Sequence, residues 1–262
     1  MNNTADKKPL VLVLAGHDPS GSAGIQADIE SITSNGCHAA TVITALTIQN
    51  TSRFVRAIPV DPVDFQQQID LLLQEMQFNA CKIGLVSSVE ILTVMEKVLA
   101  RLNNIPVIVD PVISAGSGEK ISTDIVCNTL YEKILPVATM ITPNSEEARK
   151  LTGLENLDAA ADVMLELGCK SVLITGSHEP TDKIINTLYT NNEDPVIFKW
   201  ERLAGVFHGS GCTLSAAITA RMALGYNIKQ AATVAQEYTW QTLKHAVLHG
   251  KKQYHPDRFY KS

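Results

Sequence analysis

The chain has 262 residues, 45% of them hydrophobic and 19% charged, with a formal net charge of −5. That usage excludes disorder and coiled coil, and the length suits one large α/β domain over 1–262 better than two equal halves. A pI near 5.8 argues against a nucleic-acid binder, which needs a basic footprint.

Lys7 and Lys8 precede an apolar run at 10–15 that is too short for a signal-peptide core, so it reads as a first buried strand. Residues 1–9 are expected to be a flexible N-terminus. Further Val-, Ile- and Leu-rich runs at 41–48, 54–58, 80–85, 107–109, 139–141 and 172–175 suit strands covered on both faces of a largely parallel sheet. Asp61 as N-cap and Pro62 at N1 open a helix striped by Ile69, Leu72, Leu73 and Met76. Ser87-Ser88-Val89-Glu90 reads as a capping box before Leu92, Met95, Val98 and Leu99. Helical patterns follow over 158–167, 211–224 and 228–248. Between them, the runs 184–189 and 196–200 flank a polar break at 191–195, which predicts a hairpin and a sheet mixed at one side. This alternation implies βαβ units and a three-layer α/β domain. No stretch approaches the ~18 apolar residues of a membrane span. The five cysteines, Cys37, Cys81, Cys127, Cys169 and Cys212, are widely scattered; with their odd count they fit a reducing cytosol.

No P-loop, complete Gly-x-Gly-x-x-Gly, Gly-x-Ser-x-Gly elbow or His-Glu-x-x-His helix is present. Four loops remain. In 206–217, Gly209, Ser210, Gly211 and Cys212 lead into an Ala-rich helix whose first N–H groups can form an anion hole. Cys212 falls in the first turn, where the helix dipole is expected to lower its pKa; the alternative is a glycine turn with a buried cysteine. In 15–24, Gly16 allows close backbone approach and Asp18 sets a carboxylate at a strand end, although Asp18 and Ser20 also suit a turn. Asp110 likewise follows a strand. Asn144 and Glu147 could support hydrated Mg²⁺ through oxygen, or could be an N-cap and its N3 partner. The histidines share no ligand spacing and read as turn or surface residues, with His17 near the proposed site.

These loops, in this order, resemble the ribokinase-like superfamily, and within it the hydroxymethylpyrimidine/phosphomethylpyrimidine kinases of thiamine biosynthesis. The carrying pieces are Ala15-Gly16-His17-Asp18-Pro19-Ser20-Gly21, Val42-Ile43-Thr44-Ala45-Leu46 with Gln49-Asn50-Thr51, Lys82-Ile83-Gly84, Ile141-Thr142-Pro143-Asn144 and His208-Gly209-Ser210-Gly211-Cys212-Thr213. The resemblance implies a three-layer α/β/α ribokinase-like fold with a central mostly parallel sheet. It also implies Mg²⁺- and ATP-dependent phosphorylation of 4-amino-5-hydroxymethyl-2-methylpyrimidine and then of its monophosphate. By matching position, Gln49 binds the aminopyrimidine with Gly16, Asp18 and Val112 nearby, while Asp110, Asn144 and Glu147 support the metal. Gly209, Ser210 and Gly211 form the anion hole, and Cys212 stands where sugar kinases carry an aspartate base. Thr175 and Gly176 fall at the ATP phosphates, where many relatives have Lys-Gly-Gly-His; the missing lysine bears on nucleotide affinity and on the second phosphorylation. Leu85 stands where many relatives have Met. The resemblance further implies a cytoplasmic homodimer. A pyridoxal-type kinase and a non-catalytic vitamin-precursor binder are the competing readings, and residues from about 249 to 262 read as a solvated tail.

Overall fold

A computed structural model describes residues 7–102, 104–114 and 121–261. Residues 1–6 of the expected flexible N-terminus, and residue 262, lie outside the described residues. Nine strands form one sheet: β1 (Leu10–His17), β2 (His38–Asn50), β3 (Arg53–Pro59), β4 (Ala80–Ile83), β5 (Val107–Val109), β6 (Met140–Ile141), β7 (Ser171–Ile174), β8 (Lys183–Thr190) and β9 (Val196–Glu201). Their spatial order is β3-β2-β1-β4-β5-β6-β7-β8-β9. Pairs from β2 to β7 are parallel, whereas β3, β8 and β9 run antiparallel to their neighbours. The sheet is thus mixed at both edges rather than one. Thr51 and Ser52 join β2 directly to β3, and so short a link can only reverse the chain.

Helices cover both faces. α2 (Pro62–Glu75), α3 (Val89–Leu99), α4 (Asp124–Lys133), α5 (Ser145–Thr152) and α6 (Leu157–Glu166) close one; α1 (Gly24–Ser34), α7 (Ser210–Ala223) and α8 (Ile228–Lys244) close the other. The period of two sorts the strands between them. Leu12, Leu14, Cys81, Ile83, Val107, Val109, Val172 and Ile174 face the first layer. Val11, Val13, Ala15, Ile108, Met140 and Leu173 face the second.

Local chemistry fixes the helix ends. Asp61 caps α2 through the N–H groups of Val63 and Asp64, with Pro62 in the first turn, as expected. The cap of α3 is Ser88, not Ser87: its Oγ accepts from Ile91 N, and Glu90 turns to its hydroxyl instead of closing a box. The C-terminal residues also depart from expectation. Tyr254 pairs with the strand-like segment at 206–208, and Gln253 and Arg258 are buried, so 253–258 is packed structure rather than a solvated tail.

Candidate active site

From β1 the chain moves to β2 on one side and later to β4 on the other, so a crevice opens at the carboxyl ends where the order reverses. A cavity of about 480 Å³ occupies it. Gly16, Asp18, Gln49, Asp110, Val112, Asn144, Glu147, Thr175 and the run Gly209 to Cys212 all line it. Of the predicted site residues only Gly176 does not. Its N–H donates to Asn186 Oδ1, and a Cβ there would meet Ile185 O at 2.2 Å, so close packing on β8 explains the glycine.

Gly209 caps α7 with φ +82°, and an added Cβ would strike Ser22 O at 1.9 Å. Both facts demand glycine. With no side chain to cap them, the N–H groups of Ser210, Gly211 and Cys212 have no intrahelical acceptor. Three donors at the positive end of a 14-residue helix are thus available to an anion at the cavity wall.

Beneath it lies a buried ionic cluster. Lys82, wholly inaccessible in β4, places Nζ 2.9 Å from Asp28 of α1 and 3.9 Å from Asp110. Burial opposes its charge, but Asp28, Cys212 and Asp110 outweigh that and raise its pKa. Burial pushes Asp28 up to about 6 against the pull of Lys82. Asp110 is also raised by burial, with Lys82 and hydrogen bonds from Cys212 and Ser215 offsetting part. The Cys212 thiol is not lowered as the dipole argument predicts. Burial pushes it up to about 12, Lys82 pulls against this, and Asp110 and Asp28 add to it. Desolvation beside two carboxylates exceeds the attraction of one helix end, so Cys212 rests as a thiol.

Three predicted site residues are also structural. Asp18 accepts from Ser20 N, Ser20 Oγ and Ala23 N, and its Oδ2 lies 3.0 Å from His208 Nε2. Burial works to raise its pKa, yet His208 and Ser20 together hold it well below the ordinary carboxylate range. Asn144 and Glu147 form a reciprocal capping box on α5. Glu147 still lines the cavity and accepts from Ile113 N; burial, then the charge of Asp110, pushes it up to about 8. Gln49 donates from Nε2 to Thr47 Oγ1 at 2.9 Å. Among the described residues no group of three or more His, Cys, Asp or Glu side chains is placed to hold a metal.

Sequence reasoning assigned no role to Lys82, Asp28, His208 or Arg258. A lysine inside Ala-Cys-Lys-Ile, a strand buried throughout, was a legible signal. Asp28 on the buried stripe of α1 was another. Nothing local marks His208, one of the histidines expected at the surface and here 7% exposed.

Free N–H groups at a helix start, paired acids and a wall of strand ends equip a protein to stabilise a moving phosphoryl group. Solved structures put the fold in the same class, the ribokinase-like small-molecule kinases. Pyridoxal kinase from Bacillus subtilis, as an ADP complex, superposes with TM-score 0.87 at 28% identity, over 96% of this chain and 97% of its own. Phosphomethylpyrimidine kinase from Clostridium difficile gives 0.79 at 33% identity, over 90% and 100%. Within that class, the chain belongs to the phosphomethylpyrimidine kinase family, whose profile matches residues 18–257. A relative from Synechococcus elongatus named hydroxymethylpyrimidine/phosphomethylpyrimidine kinase is 35% identical over 96% of this chain and 98% of its own length. The chain spans 45% of a similarly named Saccharomyces cerevisiae relative. No helix among the described residues is long and apolar enough to cross a membrane.

Proposed function

We propose that this kinase transfers the γ-phosphoryl group of ATP to the hydroxymethyl oxygen of 4-amino-5-hydroxymethyl-2-methylpyrimidine, and then to the phosphate of the product, in thiamine biosynthesis. The carrying observation is that Gln49, the anion hole and the Asp110–Glu147 pair share one cavity. The Gln49 amide offers a donor and an acceptor to the aminopyrimidine edge, with Gly16 and Val112 against the ring. The N–H groups of Ser210, Gly211 and Cys212 stabilise charge on the moving group. Cys212 lines the same cavity wall, so it takes the hydroxyl proton as its own passes to an oxygen of the incoming phosphoryl group at the anion hole. Asp18 shapes the floor through His208 instead of offering a free oxygen. Thr175 lines the nucleotide end by its side chain, because its N–H and C=O are spent on Pro143 and Ser145.

Mg²⁺ fits this donor set. Asp110 and Glu147 are hard oxygen ligands whose mutual repulsion a divalent cation relieves, and Mg²⁺ commonly takes one or two carboxylates plus phosphate oxygens and water. Bound there, it supplies charge neutralisation to the phosphates; Asn144 orients Glu147 through the capping box. The widely scattered cysteines suit a reducing cytoplasm. Exposed Leu46, Ile48, Val55 and Ile58 on β2 and β3 support a homodimer.

The pyridoxal-kinase reading is favoured by the fold superposition, and the pyrimidine reading by sequence identity and the family profile. ATP turnover with the pyrimidine, its monophosphate and pyridoxal as acceptors separates them. Turnover with pyridoxal alone overturns the proposal.

A further inference from the structure

The segment expected to be a solvated tail holds the anion hole from behind. Tyr254 N donates to Val206 O at 2.8 Å, and His208 N donates to Tyr254 O at 3.0 Å, so the last residues before Gly209 are stitched on both sides. Four residues on, the Arg258 side chain is 1% exposed. Its guanidinium donates to Glu30 at 3.0 Å and to Ser22 O, the carbonyl that packs against Gly209. Its Nε donates to Thr213 Oγ1 at 3.0 Å, and that hydroxyl donates to Gly209 O at 2.8 Å.

We propose that Arg258 is a positioning residue for phosphoryl transfer, acting through Thr213 on the Gly209–Ser210 peptide. That peptide is planar and trans, so its C=O and N–H point in opposite directions. Gly209 O is held inward by both Thr213 N, at 2.9 Å, and Thr213 Oγ1. The Ser210 N–H is thereby aimed outward at the cavity. A left-handed glycine is the least constrained residue in the loop, with no side chain of its own to fix it. The relay replaces that constraint from outside. An arginine suits the task because a rigid fork of donors reaches three acceptors on three segments at once.

The inference rests on the phosphoryl-transfer reading above. Thr213→Val keeps the side chain's shape and removes the relaying hydroxyl, Thr213→Ser keeps the hydroxyl, and Arg258→Ala removes the source. With ATP and the pyrimidine, kcat is expected to fall roughly 10-fold or more in Thr213→Val and Arg258→Ala, because a donor is misaimed rather than deleted. KM for the pyrimidine stays within about twofold, and Thr213→Ser restores kcat. Thermal melting identifies a variant that has not folded; Thr213→Val is near-isosteric and keeps the test alive if Arg258→Ala fails. A Thr213→Val enzyme with wild-type kcat, or a Thr213→Ser enzyme equally impaired, overturns the proposal.

A second arm needs no pyrimidine. Inorganic phosphate is expected to bind the hole, and Thr213→Val to bind it roughly 10-fold more weakly, read by isothermal titration calorimetry. Equal phosphate affinity in both proteins, or no binding to wild type, overturns the proposal. Wild type that ignores the pyrimidine but shows the affinity difference sinks the substrate reading and supports this one.

Discussion

The two faces of the sheet are built from different materials. Under α2 to α6 the interior is continuous hydrocarbon: Leu12, Leu14, Phe65, Ile69, Ile91, Leu92, Met95 and their neighbours. Under α1, α7 and α8 the apolar groups are smaller and interrupted. Ala216, Ala217, Ala220, Ala231, Ala232 and Ala235 stand among buried Asp28, Lys82, Thr213, Ser215, Thr219, Gln236 and Arg258. Alanines let α7 approach closely, which carries its N-terminus into the crevice. The charges sit under that terminus, where each must be paired. One face holds the fold; the other gives up apolar area to hold polar groups in place.

That contrast can be broken most sharply at Lys82. Lys82→Met leaves Asp28 buried without its partner, and an expected loss of about 3–5 kcal/mol follows, read by urea unfolding. The double variant Lys82→Met/Asp28→Leu should regain most of that stability yet remain inactive. If it recovers full turnover, the pair serves the fold alone. On the opposite face, Leu92→Ala should cost about 2–5 kcal/mol while kcat at a permissive temperature stays unchanged. A kcat loss there would erase the division between the faces.

Smaller effects sharpen the comparison. Cys212→Ala should lower kcat roughly 10²-fold with little change in KM for ATP or in melting temperature. Near-normal kcat would reduce the thiol to packing. Gln49→Ala should raise KM for the pyrimidine by an amount equivalent to about 1–3 kcal/mol; an unchanged KM removes Gln49 from the substrate contact. Smallest is the acid dependence of Asp18. Its folded pKa lies below the ordinary 3.8, so the folded protein binds fewer protons than the unfolded chain as pH falls past that value. This contribution is present above pH 3.8 and lost below it. Asp18→Asn should therefore start less stable at neutral pH and lose less on acidification. Parallel melting-temperature curves from pH 5 downward, a window set by about one unit above 3.8, would dissolve the Asp18–His208 clasp.

All nine strands were legible: the central ones, buried on both faces, read as Val, Ile and Leu runs, and the partly exposed β3, β8 and β9 as short β-rich runs set off by polar breaks. α4 was not, since Ile125 is exposed while Val126, Cys127 and Leu130 are buried, which blurs its stripe. Of the site, the glycine loop and the acids after β5 and β6 could be found, because each is defined by neighbours in sequence. The Asn144–Glu147 spacing was ambiguous for a physical reason: the same two side chains cap α5 and line the cavity. Cys212 misled because its environment comes from Lys82, Asp28 and Asp110, all far away along the chain. His208 and Arg258 were invisible on the same ground; their partners lie about 190 and 230 residues upstream, at Asp18 and Glu30.

The layout of the two faces also orders assembly in time. α2 to α6 fall between residues 62 and 166, so the hydrocarbon layer closes with moderate chain loops. The opposite layer joins α1 to α7 across nearly the whole chain, and long loops cost the most entropy before any contact rewards them. Refolding is therefore expected to produce a half-covered sheet first, and activity only in the final docking step. In the folded protein the same seam is the natural one to open locally, exposing the α7 amides to hydrogen exchange ahead of those in α3.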